Sequence, residues 1–432
     1  MNLLVLNSGS GSHKCSLFCV GDTLPLKPLE PVWKAVIMAT SPGSTSQELS
    51  LTIECRGRKD EPRTLPADLS SRKRVEYLLK LLSDDKIPDL DGPMKIDAVG
   101  HRVVHGGTEF DRAVVVDADV EAIIQRLAAF APLHNPVNLE GIQVARELLG
   151  SKIPQIAVFD TSFHRTLSEA ASTYPGPFDW LQKGIRRYGF HGTSFRWASN
   201  QAAQLLKREN DPELRLIICH LGGGCSLAAT IGGKSVDTTM GFTPMDGIAM
   251  CTRSGALDPG ILLFLMRENP DVDKLEKTLD RGSGLQGLSG FPGDTRILLP
   301  EANKGNQRAK LAMDVFIHRL QAGIGQMMAS LNGRPDAIVF TDAIGEDEPL
   351  VRSRACEPFK FIGVEVDPQK NATSPLDSDI SLPKAPVRVL IVKSREDWQI
   401  GRECHELYSR RRNEPDAETI SRFESNDFLT KL

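Results

Sequence analysis

From Leu216 to Thr230 the chain reads LIICHLGGGCSLAAT, an apolar run broken by three consecutive glycines and then resumed. Such a pattern predicts two buried strands joined by a tight turn. The same scheme opens the chain: Leu3 to Phe18 reads LLVLNSGSGSHKCSLF, with Asn7 in the place that His220 holds at the end of the first strand. A third apolar strand, in AIVFTDAIGE from Ala337 to Glu346, leads into another small-residue turn. Glycine tolerates positive φ and has no Cβ to hold a bulky anion away from the backbone amides, so turns of this kind suit phosphate. Any one of them also reads as an ordinary turn between core strands. The three together, with the residues between them, point to a phosphate-handling unit used twice and then supplemented.

The remaining pattern alternates strands with helices. Thr40 to Arg74 is polar around one strand-like piece, LSLTIEC, and reads as peripheral hairpin and loop, with RKDEPR as a solvated tip. Val75, Leu78, Leu79 and Leu82 recur at helical spacing and are followed by the strand IDAVGHRVVHGG. Val120, Ile123, Ile124 and Leu127 predict a second helix, Leu139, Ile142, Ala145 and Leu149 a third, and IPQIAVFD a strand. After these come a helix over 194–207, the central hairpin, the strand KSVDTT, and a helix that Asp258 caps and Pro259 opens. A long helix spans 307–331, and VRVLIVKSREDWQIGREC predicts a strand, a capping box of Ser394 and Asp397, and a last helix. From about Glu414 the chain is polar and predicts a frayed end. The whole is an α/β chain of two related domains.

Composition narrows the function classes. At 432 residues the chain exceeds one hydrophobic core, and a net charge of -4 gives no general attraction to nucleic acid or anionic lipid. The opening MNLLVLNSG has no basic leader, and the longest later apolar run, ILLFLM, cannot span a bilayer, which argues for the cytoplasm. Of the eight cysteines, Cys15, Cys19, Cys219, Cys225 and Cys251 fall on apparent strands or turn edges with no CxxC pair, and read as small buried hydrophobes.

The candidate chemistry lies at strand ends and in Gly/Pro turns: GHRVVHGG, APLHNP, FDTSFH, RRYGFHGTS, CTRSGALDPG and FPGDTR. Rigid scaffolds present functional side chains to a cleft from such positions. Arg102 and Arg253, several histidines and the strand-end Asp160, together with phosphate-type loops, describe a phosphoryl-transfer site. The GxxxxGK[ST] loop, the HRD and DFG set and the GxSxG elbow are all missing, so P-loop, protein-kinase and α/β-hydrolase readings lack their motifs.

NSGSGSHK, GHRVVHGG, APLHNP, FDTSFH, YGFHGTS, CHLGGG, DTTMGFTP, TRSGALDPG and FTDAIGE, in this order, resemble the acetate kinase family over nearly the whole chain. The resemblance implies the fold of the actin, hexokinase and heat-shock chaperone superfamily. In it two ribonuclease-H-like domains flank a cleft, here residues 1–161 with 397–432 and residues 162–396, the last helix returning to the first domain. It also implies a homodimer that transfers the γ-phosphoryl of ATP reversibly to acetate with Mg²⁺, or Mn²⁺ in its place. Carried over by motif, Asn7, Ser10, Ser12 and Lys14 match the N-terminal phosphate loop. His220, Gly222, Gly223, Gly224, Asp294, Arg296, Ala343 and Gly345 match the nucleotide side. Arg102, Asp160, His191 and Arg253 match the catalytic set, with His134 and His220 beside the transferring group. Asn7, Asp160 and Glu396 match the residues associated with the metal, and Val104, Leu133, Phe190 and Pro244 the small apolar pocket for the acetate methyl, which favours short acids.

Departures from the family pattern cluster on the donor side. Gly223 stands where the family usually has Asn, Asp342, Ala343 and Asp347 replace residues of an Ala-Gly-Ile-Gly-Glu-Asn loop, and Arg395 replaces Asn before the metal-associated Glu396. Gly11 replaces a Ser. Ala343 adds a Cβ where glycine would allow positive φ, and Arg395 reads as a cation offsetting Asp342. Three other readings stay open: a pyrophosphate-using enzyme, a propionate or butyrate kinase, and a non-catalytic nucleotide-binding protein of the same superfamily.

Overall fold

The computed structural model describes residues 1–9, 12–39, 48–66, 68–84 and 95–413. The polar tail from Glu414 lies outside them, as do Ser10 and Gly11.

Two sheets carry the chain. The first holds β1 (Asn2–Ser8), β2 (Ser12–Cys19), β3 (Trp33–Ala39), β4 (Leu49–Cys55), β5 (Arg58–Lys59), β6 (Arg63–Leu65), β7 (Ala98–Val103), β8 (Val114–Val115) and β9 (Gln155–Phe159). The second holds β10 (Arg215–Leu221), β11 (Cys225–Ile231), β12 (Lys234–Thr238), β13 (Ala337–Thr341), β14 (Ser378–Asp379) and β15 (Arg388–Ile391). The order β3-β2-β1-β7-β9 in one matches β12-β11-β10-β13-β15 in the other. In both, the first three strands are antiparallel and the last two join in parallel. The repeat read from the two hairpins is therefore a repeat of the whole sheet, and the parallel strands at its centre are buried along their length, as QIAVF and AIVFT require.

Helices fill the faces. Helices Ser71–Asp84 and Asn135–Leu149 cover the outer face of the first sheet through Val75, Leu78, Leu79, Val144 and Ala145. Helix Gln307–Ser330 covers that of the second through Phe316, Leu320 and Ile324. Between the sheets lie helices Gly192–Leu205 and Glu396–Asn413, whose Phe195, Ala198, Trp398 and Ile400 share one core with Leu3, Val5, Ile218 and Val339. The last helix thus packs on the first sheet. A Cβ on Gly100 of β7 would stand 2.6 Å from Cys404 Sγ, so glycine lets this helix approach the sheet.

Three local expectations change. LSLTIEC is no peripheral piece: β4 pairs with β3 over its whole length and buries Leu49, Leu51 and Ile53, while RKDEPR is the exposed tip. The third strand leads into a short helix, Asp342–Asp347, rather than a bare turn. The capping box does not form, because Asp397 turns inward to accept from Asn7 Nδ2 (2.9 Å) and Ser16 Oγ (2.9 Å), and the Ser394 amide donates to Glu346. Among the cysteines Cys15, Cys219 and Cys225 are buried as read, but Cys19 is exposed and Cys251 half-buried.

Candidate active site

Strand register brings the candidate residues together. β1 and β7 run parallel with Leu6 opposite His101, so the next residues, Asn7 and Arg102, emerge side by side at the strand ends. β9 follows with Phe159 opposite Val103, and Asp160 emerges beside them. In the second sheet His220 lies opposite Thr341, which sets Asp342 next to the glycine turn. These ends open on a cleft of about 870 Å³. Its lining includes Ser12, Lys14, Arg102, Val104, His134, Asp160, Phe190, His191, His220, Gly223, Gly224, Pro244, Arg253, Ala343 and Glu396.

Arg102 is held from three sides. Its Nη2 lies 2.6 Å from Asp160 Oδ2, its Nε 3.0 Å from both Asp160 oxygens, and its Nη1 3.2 Å from Asn7 Oδ1 and 3.6 Å from Glu396 Oε2. Burial works against its charge, yet Asp160 and Glu396 outweigh burial and hold the guanidinium protonated. Asp160, matched by motif to the metal, has both oxygens turned to Arg102. Glu396 resists burial in the same way: Arg102, His220 and Lys14 keep its carboxyl below the usual range. For Lys14 burial is likewise outweighed, by Asp397, Glu396 and Asp342, and its ammonium stays charged.

The opposite wall carries Arg253 and two histidines. Arg253 Nε donates to Asp280 Oδ1 at 2.9 Å and Nη1 to the Pro244 carbonyl at 3.3 Å. His191 sits at φ 56° before helix Gly192–Leu205, where a Cβ on Gly192 would collide with the Asp160 carbonyl at 1.9 Å. This left-handed residue followed by an obligatory glycine lets the ring face the cleft while the helix starts behind it. Its Nδ1 lies 2.8 Å from Ser226 Oγ, and burial, reinforced by His220 and the two arginines, pushes the imidazole well below its ordinary pKa. His134 is pushed to about 3 by burial and then by Arg253 and Arg102. A Cβ on Gly224 would stand 3.2 Å from His191 Nε2 and 3.3 Å from Arg253 Nη1, so glycine leaves open the space where these two donors converge.

The other candidates lie apart from that lining. Asn7 is buried just behind it, bridging Arg102, Glu396 and Asp397. Leu133, Gly222 and Gly345 are not among the lining residues. Asp294 accepts from the Arg296 amide at 2.9 Å and forks with its guanidinium at 2.6 Å, so the pair closes on itself at the surface. The expected positive φ belongs to Asp342 (65°), not to Ala343. Arg395 lines the cleft, but its Nη1 is paired with Asp377 at 2.8 Å, which removes it as the cation offsetting Asp342. Residues given no role by the motifs also matter: Asp280 fixes Arg253, Ser226 fixes His191, and Ser194 Oγ lies 2.8 Å from His220 Nδ1. Only spatial proximity reveals them, since each is more than twenty residues from the group it holds.

Among the described residues no group of three His, Cys, Asp or Glu is placed to hold a metal alone. Mg²⁺ asks for less, since it keeps several waters and takes one or two carboxylates with substrate phosphates. Glu396 fits, because no hydrogen bond or ion pair among the described residues engages its Oε1.

The acetokinase family model matches residues 2–402. An acetate kinase of Gloeobacter violaceus is 49% identical over 406 residues, 94% of this chain and 98% of its own. Two solved structures, an acetate kinase of Porphyromonas gingivalis and a propionate kinase of Francisella tularensis, are each 33% identical with a TM-score of 0.81. The first covers 94% of this chain and 99% of its own, the second 93% and 98%. The chain belongs to the acetokinase family.

Proposed function

We propose that the chain is an acetate kinase that transfers the γ-phosphoryl of ATP to acetate in line and reversibly. The observation that carries the reading is the convergence of Arg102, Arg253 and a neutral His191 on one cleft, with Val104, Phe190 and Pro244 in its lining. The acetate carboxylate is already ionised at pH 7 and attacks phosphorus directly. One O–P bond forms as the bond to the β–γ bridging oxygen breaks, ADP leaves, and no proton is moved. Arg102, oriented by Asp160, and Arg253, oriented by Asp280, bind carboxylate and phosphoryl oxygens. His191 takes the Ser226 hydroxyl on Nδ1 and offers Nε2–H to the equatorial oxygens. Catalysis is then positioning and electrostatics.

Glu396, with Asn7 behind it, would hold Mg²⁺ carried on the donor phosphates; when bound, the ion neutralises charge on the leaving phosphate. Ser10, Ser12 and Lys14 form the phosphate loop in this reading, and His220 with Gly222–Gly224, Asp294, Arg296, Ala343 and Gly345 the nucleotide side. The division into 1–161 with 397–432 and 162–396, a homodimer and a cytoplasmic place belong to the same proposal. No helix among the described residues is long and apolar enough to cross a membrane.

A second reading concerns the donor alone. Asp342 puts a carboxylate in the cleft beside the glycine turn assigned to the nucleotide, which favours loose discrimination among ATP, GTP and pyrophosphate. Acetyl phosphate trapped as the hydroxamate, with each donor offered against fixed acetate and then fixed propionate, tests both readings. A protein that binds nucleotide but forms no acyl phosphate with any donor is a non-catalytic relative.

A further inference from the structure

One carboxylate oxygen joins the two strand ends on the donor side. Glu346 Oε1 accepts from the Asp342 amide at 2.9 Å and from the Ser394 amide at 2.7 Å. Asp342 begins the short helix after β13, and Ser394 follows β15, two residues before Glu396. β13 and β15 are neighbours in the sheet, so this oxygen fixes the spacing of the two chain segments that leave it. The Glu346 main chain is fixed as well. The fully buried Arg352 donates from Nη1 to the Gly345 and Glu346 carbonyls at 2.8 and 2.7 Å, and from Nε to Asn371 at 2.8 Å. Glu346 closes the FTDAIGE motif, which by itself gives it no role.

We propose that Glu346 is a positioning residue for the phosphoryl donor, holding the start of the Asp342–Asp347 helix against the segment that carries Glu396. This rests on the acetate kinase reading for what the donor is, but not for the bridge itself. Glu346, Asp342, Ala343 and Ser394 all line the cleft, while Val104, Phe190 and Pro244 line it elsewhere. Loss of the bridge therefore acts on donor binding and leaves acetate binding in place.

The charged groups around Glu346 are accounted for. Asp342 and Asp347 share its helix, Arg352 engages its main chain, His220 pairs with Asp342 at 3.4 Å, and Arg395 is turned to Asp377. Among the described residues no ion pair engages the Glu346 carboxylate. Burial, and then Asp342 and Asp347 against the two amide bonds, raises its pKa to about 7. An ionised carboxylate is the stronger acceptor of the two amides, so the bridge weakens as pH falls through that value.

The test compares Glu346→Gln with Glu346→Ala. The glutamine oxygen keeps both acceptor positions and does not titrate; alanine keeps neither. Calorimetry with ATP and Mg²⁺ at pH 8 is expected to show about a tenfold weaker Kd for the alanine variant. The glutamine variant stays within about threefold, and the acetate KM changes less than about twofold in both. Between pH 8 and pH 6 the starting protein loses donor affinity relative to the glutamine variant, which serves as the control for titration of ATP itself. Unchanged donor Kd in a folded Glu346→Ala overturns the proposal, as does an equal effect on acetate KM or the same pH dependence in Glu346→Gln. Because the Kd is read without turnover, a protein that makes no acetyl phosphate would overturn the assigned function while leaving the role of Glu346 decided by its own measurement.

Discussion

Arg102 and Asp160 meet as a fork at the ends of two adjacent parallel strands, 2.6 Å from Nη2 to Oδ2, with the carboxylate fully buried. Removing one partner of such a pair leaves the other charge uncompensated, which costs about 3 to 5 kcal/mol. Asp160→Ala should therefore lose stability on that scale in denaturant titration. Arg102→Ala and Arg253→Ala should lower kcat by about 10² or more, the scale for loss of a transition-state donor. Full activity in a well-folded Arg253→Ala would remove it from the catalytic set.

The buried histidines set an acid limit on the fold. His13, His101, His105 and His164 are each pushed to about 4, by burial first, and the half-buried His134 at the cleft to about 3. Their folded values lie below the unfolded value of about 6.5. As pH falls, the unfolded chain takes up protons first, so this stability is present above about 6.5 and lost as pH drops towards 4. The loss amounts to roughly 1 to 2 kcal/mol per site by pH 5. Tm measured by calorimetry should fall steeply between pH 6.5 and pH 5; a flat Tm over that interval contradicts the account.

In the proposed reading Val104 and Phe190, both buried at the cleft, and Pro244 would limit acceptor length. A methylene gained or lost in an apolar pocket is worth about 1 to 3 kcal/mol. Acetate and propionate should both react and butyrate poorly, with Val104→Ala easing the longer acids. Equal kcat/KM for acetate and butyrate in the unaltered protein would sink the assignment of this pocket.

Helix Pro259–Glu268 has no buried residue, and Ile261, Leu263 and Phe264 are 43%, 59% and 57% exposed, with Val272 beyond it at 67%. An apolar face of this kind marks an interaction surface, which the proposed homodimer would cover. Leu263→Glu with Phe264→Glu should convert a dimer to a monomer in light scattering after gel filtration. A monomeric starting protein would remove the homodimer from the proposal.

The sheet repeat was legible because buried parallel strands read as continuous apolar runs and the two hairpins share one pattern. The strand-end residues Arg102, Asp160 and His220 were legible for the same reason, since register follows from the strands. Asp397 was misread as a capping residue because a helix start looks alike in sequence whether its acid faces the helix amides or a neighbouring strand. Arg395 looked like a free cation because its partner Asp377 lies in a loop that no periodicity connects to it. Asp280 and Ser226 were silent: each acts only through the residue it orients.

Asp342 decides what can be expected of the donor. Its Oδ2 stands 3.4 Å from His220 Nε2 and occupies the space a Cβ on Gly222 would need, only 1.8 Å away. With Arg395 paired to Asp377, the cations that feel this carboxylate are Lys14 and Arg102, and both are also held by Glu396. A like charge about 4 Å from a phosphate oxygen costs roughly 1 to 4 kcal/mol between bulk water and a partly screened site. Asp342→Asn, which tolerates the left-handed backbone, should therefore raise kcat/KM for nucleotide donors by about tenfold at low salt, and less as salt screens the charge. The comparison that discriminates is kcat/KM for ATP against GTP and pyrophosphate, repeated in Asp342→Ala combined with Ala343→Gly. If the starting protein strongly prefers ATP and the double change leaves that ratio where it was, Asp342 and Ala343 have no part in donor choice and the enzyme is an ordinary ATP-dependent acetate kinase. A ratio that moves toward ATP when the carboxylate is removed places donor selectivity in this turn.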